Sequence, residues 1–596
     1  MTDLSSGQQT LTIQQAIDLA VEHHNAGRLP EAEGLYTQIL QAEPEHPVAL
    51  NLLGVVAHQV GKNDVAVDLI GKALAIKPDY AEAYSNLGLA FQEQGKLDDA
   101  TTSYRKALAI NADYAEVHNN LGNALTNQGK LVDAVASYRK AIAINADFAK
   151  PHNNLGNALK RQGKLDDAAA SYHKAIAIKP DYAGAHSNLL LNEHYRLGHT
   201  ANTLYALHCD WDTQFVEDYK PEWPEHQNER TPNRLLRIGF VSADLGHHPV
   251  GYFVVGLLTH LSSFGFQTYC YSDRIEDELT TRIRATTDVW QEIRGWPDEQ
   301  VTSKVMGDQI DILIDLTGHS ANNRLLVFAR KPAPLQVSWA GYMATTGLSS
   351  IDYLISDKYS TLEDEEEYYQ EQIIRMPNQW VCYEPPSYAP KVGPLPAKRN
   401  GYVTFCSFSN PAKLNAEVIS LWTRILKAVD NSQLIIKYNN IDTAYNIKRL
   451  TDQFEAEGVS ESRLILEGKS PHAELFERYN DVDIALDPFP YSGGVTTYEA
   501  LWMGVPVITV PGATFASRHS LSHLMTIGYP EFVAKDQDHY FELATQLAHN
   551  QERLSSIRSQ CRQKMAASPS CDSQKFAKDF GTLMRGIWWK WCTQQL

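Results

Sequence analysis

PDYAEAYSNLGLAFQEQGKLDDATTSYRKALAIN, residues 78–111, is one 34-residue unit of a repeating pattern. Its Gly95 recurs as Gly27, Gly61, Gly129 and Gly163, and its Asn86 as Asn120, Asn154 and Asn188. Within the unit, Leu87 and Phe91, then Leu97, Tyr104 and Leu108, fall at helical spacing and predict two amphipathic helices. Small residues, Gly88 and Ala100, let those helices approach closely. Gly95 breaks the chain between them. Asp79 with Glu82 reads as a capping box opening the first helix, and Asp113 with Glu116 repeats it. Asp147 has Lys150 in the partner position, so only the cap half survives there.

A helix-turn-helix period of this length is the tetratricopeptide period, and it occupies residues 12–195. Arrays of this kind hold other chains in a concave face. The outer repeats degrade: Pro30 is tolerated only in a first helical turn, and Leu52 interrupts the Asn row towards the N-terminus. The row Asn86, Asn120, Asn154, Asn188 has two readings. It bridges neighbouring repeats, or its amides, which donate and accept, pair with the backbone of a bound polypeptide.

At 596 residues the chain exceeds one core. Its hydrophobic share of 43% and charged share of 21% are those of a soluble globular protein. A net charge of -18 argues against non-specific binding to nucleic acid or anionic membrane. No apolar run is long enough to span a bilayer, and the first residues have no basic, apolar leader pattern. Seven cysteines without a CxxC pair point to a reducing compartment, hence the cytoplasm, and away from a disulfide frame or zinc site.

Periodicity fails after Leu191. Residues 196–233 read as a helical transition and linker. Beyond it, short apolar runs such as LLRIGFVSA (235–243), FQTYCYSD (266–273) and IDILIDL (310–316) alternate with helical stretches. LQVSWAG (335–341) and DYLISD (352–357) complete this group. A second group runs from YVTFCSFS (402–409) through SQLIIKY (432–438), RLILEG (463–468) and VDIALDPF (482–489) to VPVITV (505–510). Near-continuous apolar strands separated by helices predict parallel sheets covered on both faces. A Pro-rich break divides them into two Rossmann-like domains, residues 234–390 and 400–596. Ligands of such sheets bind at the carboxyl ends of the strands.

In ALDPFPYSGGVTTYEALWMGVPVITVPG (485–512) a strand ends at Asp487 and a Gly-rich turn opens a helix. Free N–H groups there make an anion site, with Gly493 and Gly494 in the turn and Thr496 and Thr497 adding hydroxyls. The spacing matches neither GxGxxG nor a P-loop. Glu499 sits in the first turn of the helix, in reach of a ribose diol or simply complementing the dipole. Asp481 and Asp483 resemble a DxD metal motif but read better as strand-entry acids.

These segments, with DLGHHPVGYF (244–253), LTGHSANNRL (316–325), KPAPLQVSWAGYMATTGLSSIDYLISD (331–357), FSNPAKLN (408–415) and DPFPYSGGVTTYEALWMGVPVITVPGATFASR (487–518), resemble the protein O-GlcNAc transferases. Their bacterial and plant SPINDLY-like branch is the nearer match. The resemblance runs over nearly the whole chain, without the insertion that animal members carry between their catalytic lobes. It implies a GT-B fold and an inverting glycosyltransferase needing no metal or other cofactor. Its donor would be a nucleotide sugar, UDP-GlcNAc or GDP-fucose, and its acceptors Ser or Thr of proteins bound by the repeats.

Carried over by residue, the resemblance implies that Lys413 contacts the diphosphate and that Asn410 lies near the phosphates. Thr496 and Thr497 match the threonines at the helix N-terminus, and Glu499 the acid on the ribose. His248 lies near sugar and acceptor and is the first candidate for general base. His319 is a SPINDLY-like position in the substrate site. The Asn row would bind peptide backbone. His472 and Leu475 replace a Lys and a base-stacking His of animal members, and Met343 replaces a Pro. Three further readings stand beside O-GlcNAc transfer: O-fucosylation from GDP-fucose, a non-catalytic scaffold, and transfer to a surface glycan or flagellin.

Overall fold

The computed structural model describes residues 4–6 and 9–593. The chain divides into two compact units. One holds the repeats up to Leu159 together with Ala170–Pro180. The other holds Lys160–Ala169 and the chain from Asp181 onward.

The first unit opens with a short ribbon, β1 (Leu4–Ser6) paired with β2 (Gln9–Leu11). Paired helices follow, among them Ala81–Glu93 with Leu97–Ile110 and Ala115–Asn127 with Leu131–Ile144. Each pair is closed in the same way. Gly95 takes a positive φ of 72°, its N–H reaches Gln92 O, and the next N–H, of Lys96, reaches Phe91 O at 2.9 Å. Gly27, Gly61 and Gly129 repeat this left-handed helix end. Close helix approach depends on glycine too: a Cβ on Gly88 would lie 2.5 Å from Tyr104 Cε1, and one on Gly122 equally close to Tyr138. Pro30 does sit in the first turn of its helix, Leu29–Ala42.

The expected capping boxes do not form. The helices begin at Ala81 and Ala115, after Tyr80 and Tyr114, with no side-chain cap. Asp79 and Asp113 therefore lie one residue before the N-cap, out of position for the bond.

The second unit contains two parallel sheets. The first is ordered β5-β4-β3-β6-β7-β8-β9, with β3 Leu236–Ser242, β4 Phe266–Ser272, β5 Val289–Glu292 and β6 Ile312–Asp315, then β7 Leu335–Ser338, β8 Tyr353–Ser356 and β9 Gln372–Arg375. The second is ordered β12-β11-β10-β13-β14, with β10 Thr404–Ser407, β11 Gln433–Lys437, β12 Leu464–Glu467, β13 Ile484–Leu486 and β14 Val507–Ile508. Both are doubly wound, reversing direction beside β3 and β10. Edge strands β5 and β9 escaped the sequence reading because they are only partly buried and lack a long apolar run.

Two helices depart from the expected boundaries. Ala201–Phe215, expected as transition, packs Trp211 and Phe215 into the same core as Val241 and Leu313 of the first sheet. The last helix, Ser573–Thr593, follows the second sheet in sequence but packs on the first lobe. Phe576 stacks on Trp339, and Arg585 donates to the carbonyls of Pro232, Arg234 and Gly265.

Candidate functional site

In the second sheet β10 and β13 are neighbours whose onward connections run to opposite sides. Loops leaving their carboxyl ends therefore flank the crevice where doubly wound sheets bind ligands. The loop after β10 carries Lys413, and the loop after β13 is the Gly-rich turn.

Asp487 folds that turn. Its carboxylate accepts the Gly493 N–H and the Thr509 hydroxyl, each at 2.7 Å. A Cβ on Gly493 would lie 2.5 Å from Thr497 Oγ1 and 2.9 Å from Asp487 Oδ1, so only glycine permits this closeness. The Gly493 amide is thus committed inward, contrary to the expectation of a free donor. Gly494 is the N-cap of helix Val495–Trp502, and the amides of Val495 and Thr496 point out of the helix end, where no intrahelical acceptor exists. Thr496 is partly exposed beside them, whereas the Thr497 hydroxyl is buried against Ser520 Oγ at 2.8 Å. One threonine is open to solvent at the helix end and the other braces the turn.

Asn410 caps the short turn Pro411–Lys413 by accepting the Ala412 N–H at 3.0 Å. Lys413 then reaches across to the other loop. Its Nζ donates to Ser492 O at 2.8 Å and lies 4.4 Å from the ring centre of Tyr491. Burial holds the ammonium down to about 8, against the opposing pull of Asp487. A cation and a helix N-terminus therefore converge on one spot. Tyr491 in turn stacks on Tyr195, with ring centres 4.9 Å apart. Neither tyrosine was singled out in the sequence, although Tyr491 lies inside the quoted turn.

Glu499 is 3% exposed. Its Oε1 accepts the Nε2–H of His472 at 2.8 Å, while Oε2 is buried with no partner among the described residues. An orphaned carboxylate oxygen one turn from the anion site suits a ligand hydroxyl. His472 Nδ1 meets Tyr388 Oη at 2.7 Å and Tyr252 Oη at 3.0 Å. Tyr252 belongs to the first lobe, so this network spans the crevice.

The first sheet contributes loops from its own reversal point, after β3 and β6. His248 is the N-cap of helix Pro249–Leu261, its Nδ1 accepting the Val250 N–H at 3.4 Å and lying 3.6 Å from Asp244 Oδ1. Desolvation, with the Arg274 charge adding, lowers its pKa to about 4. Burial raises Asp244 to about 6. With Nδ1 accepting, a neutral His248 carries its proton on Nε2.

His319 lies apart from the crevice surface. It is fully buried, with Nδ1 3.0 Å from Ser187 Oγ and Nε2 2.7 Å from Thr346 O. Its ring edges Tyr342, whose hydroxyl meets His208 Nε2 at 2.7 Å and His194 Nε2 at 3.1 Å. Both nitrogens are thus engaged by protein, which is a bracing arrangement. Asp481 pairs with Arg399 and Arg478, and Asp483 accepts the N–H groups of Ala397 and Thr404, so these strand-entry acids are occupied.

Among the repeats, the Asn row makes bridges. Asn86 Nδ2 donates to Asn51 Oδ1 at 3.1 Å, and Asn154 Nδ2 to the amide oxygens of Asn119 and Asn123, each at 3.0 Å. Asn51, the buried neighbour of Leu52, accepts the bond where the row itself is interrupted. Asn120 accepts from Asn119 at 3.4 Å, and Asn120 and Asn188 are, like Asn86 and Asn154, partly exposed.

A model of glycosyl transferase family 41 matches residues 185–384 and 395–580, and a TPR repeat model matches four segments between 54 and 189. The probable UDP-N-acetylglucosamine–peptide N-acetylglucosaminyltransferase SPINDLY of Solanum lycopersicum is 37% identical over 409 residues, 68% of this chain and 44% of that protein. The probable transferase SEC of Arabidopsis thaliana is 27% identical over 377 residues, 61% of this chain and 38% of that protein. The chain thus spans less than half the length of these plant relatives. Among solved structures, a point variant of the Thermobaculum terrenum O-GlcNAc transferase superposes with a TM-score of 0.82 at 32% identity, covering 87% of this chain and 98% of that one. Two doubly wound sheets with a cation and a helix end meeting at the reversal point, preceded by tetratricopeptide repeats, complete the agreement: the chain belongs to glycosyl transferase family 41.

Proposed function

We propose that this chain transfers a sugar from a nucleotide diphosphate to Ser or Thr hydroxyls of polypeptides held by its repeats. The preferred reading is GlcNAc from UDP-GlcNAc, with inversion. The observation carrying it is Lys413, whose Nζ is held 2.8 Å from Ser492 O at the mouth of the Val495–Trp502 helix. A sugar leaves as a diphosphate, and a fixed cation with outward amides stabilises charge that develops there. That pairing supplies positive charge from the chain itself, which supports metal-independent transfer. Glu499, with one oxygen held by His472 and the other unpartnered, suits a ribose diol. The acceptor hydroxyl attacks the anomeric carbon from the face opposite the diphosphate, near the loops carrying Asp244 and His248.

O-fucosylation from GDP-fucose is the second reading. It is favoured by His472, which is tied to Glu499 rather than free to take up a uracil-side role. Thermal-shift titration of the purified chain with UDP, GDP, UDP-GlcNAc and GDP-fucose tests both. A rise in midpoint with uridine ligands is expected. A guanosine-selective response moves the assignment to fucose. No response to any of the four removes the transferase reading and leaves a scaffold.

A further inference from the structure

Residues 243–248 lead from β3 into helix Pro249–Leu261 and carry both Asp244 and His248. This segment rests on two residues of the loop after β4, Arg274 and Asp277. Arg274 donates through Nη2 to His247 O at 3.3 Å and, more weakly, through Nη1 to Ala243 O at 3.5 Å. It thus grips the backbone on both sides of Asp244. Asp277 Oδ2 accepts the His247 N–H at 2.8 Å, together with Arg274 Nε at 3.1 Å and Nη2 at 2.8 Å. Its Oδ1 caps helix Glu278–Ala285 by accepting the Thr280 N–H at 2.9 Å. The segment is pressed against the pair. A Cβ on Gly246 would lie 2.3 Å from Arg274 Nε and 2.6 Å from Asp277 Oδ2.

Neutral donors would satisfy the same carbonyls. A guanidinium adds a charge that does not titrate in the neutral range. Asp244 has Arg274 facing it from the loop after β4, His248 on its own segment and Asp315 at the end of β6. Burial drives the Asp244 carboxyl up, and Arg274 opposes that rise. Burial drives His248 down, and Arg274 adds to the fall. One cation therefore favours an ionised carboxylate beside a neutral imidazole. Burial also works against Asp277, but the Thr280 and His247 amides and Arg274 outweigh it and hold its carboxyl down to about 2. The Arg274–Asp277 pair is thus fully charged wherever Asp244 titrates.

We propose that Arg274 and Asp277 are positioning residues for transfer, holding residues 243–248 so that Asp244 and His248 face the acceptor hydroxyl. Arg274 also supplies the charge that keeps Asp244 ionised. Both act through the segment they hold. The proposal rests on the transferase reading given above.

Two measurements on the full chain test it. One is kcat/KM against pH, read as UDP released from UDP-GlcNAc and GDP released from GDP-fucose over a mixture of serine and threonine peptides. The other is backbone hydrogen exchange of residues 243–252. Arg274→Gln removes both grip and charge. The acid limb, set by Asp244 at about 6, should move up by about one unit. With it, kcat should fall about ten- to a hundredfold and residues 243–252 should exchange faster, with UDP affinity unchanged. Arg274→Lys keeps the charge, so the limb should stay while kcat still falls. Asp277→Asn keeps an oxygen for the Thr280 amide but releases that of His247. It should speed exchange without raising the limb.

Unchanged exchange in both Arg274→Gln and Asp277→Asn overturns the proposal. So does a limb that stays in Arg274→Gln, or one that moves equally in Arg274→Lys. Weaker UDP binding in all three variants overturns it too, since residues that merely hold the fold would damage the donor site as well. If exchange rises as expected but the parent chain turns over neither nucleotide sugar, the hold on the segment stands and the transferase reading falls.

Discussion

His472 donates its Nε2–H to Glu499 Oε1 at 2.8 Å and offers Nδ1 to two tyrosine hydroxyls, Tyr388 and Tyr252, at 2.7 and 3.0 Å. A carboxylate only accepts, so Nε2 carries a proton, and the two tyrosine hydroxyls, which both donate and accept, hold the ring at Nδ1. The imidazole therefore sets the direction of Glu499 and links both lobes. His472→Ala leaves Glu499 buried with neither oxygen paired, at a cost of about 1–3 kcal/mol. We expect a lower melting midpoint and about tenfold weaker nucleotide binding by calorimetry, with peptide affinity unchanged. Unaltered nucleotide affinity would separate Glu499 from the ribose.

Lys413 predicts a pH dependence of donor binding. Its ammonium is held down to about 8 by burial, and a bound diphosphate must raise that value. Binding is then tightest below about 8 and weakens as pH rises through it, by up to about tenfold per unit. Lys413→Met should abolish this slope and lower kcat by roughly 10²–10³-fold, the scale of losing a donor to developing charge. A UDP titration at several pH values reads the slope. A flat profile in the parent chain would contradict the assignment.

Asp244 and His248 predict which group sets the acid limb of the rate profile. Asp244 is raised to about 6 and His248 lowered to about 4. If ionised Asp244 is required, kcat/KM rises with pH through about 6 and falls away below it. Asp244→Asn should remove the limb with a loss in rate. His248→Gln, which keeps a donor, should slow turnover yet leave the limb where it was. A limb that vanishes with His248→Gln instead would restore the histidine as base.

Much of this arrangement was legible in the chain because period and motif are local. The Gly95 series marked the left-handed helix ends of the repeats, and near-continuous apolar runs marked the central strands. Edge strands β5 and β9 were not, since partial burial leaves no apolar run. The capping boxes failed because Asp79–Glu82 has the right spacing one residue too early, and Tyr80 sits at the cap. At the site, the sequence singled out Lys413, Thr496 and Glu499, which the structure gathers beyond the ends of β10 and β13, but not their partners. Tyr195, Asp487, Tyr252 and Tyr388 come to the crevice through pairings across long sequence separations, which spacing does not encode. His319 shows the converse. Its segment lies at the sheet reversal, yet both its nitrogens turn inward to Ser187 and Thr346.

Two glycines of one repeat separate packing from backbone conformation. Gly122 is helical, and an added Cβ meets Tyr138 ring atoms at 2.5, 2.7 and 2.8 Å. That ring is buried, and its hydroxyl is tied to Asn123 Oδ1 at 2.8 Å, so it cannot swing aside. Gly129 takes a φ of 76°, in the left-handed region. Gly122→Ala forces the two helices apart and should cost about 1–3 kcal/mol. Gly129→Ala incurs the left-handed strain, about 1 kcal/mol. Urea unfolding followed by circular dichroism, with repeat arrays expected to lose structure segment by segment, reads the order of the two. Gly122→Ala should unfold first. If Gly129→Ala proves the weaker variant, the helix pairs can spread, and the turn rather than the Gly–Tyr contact limits repeat stability.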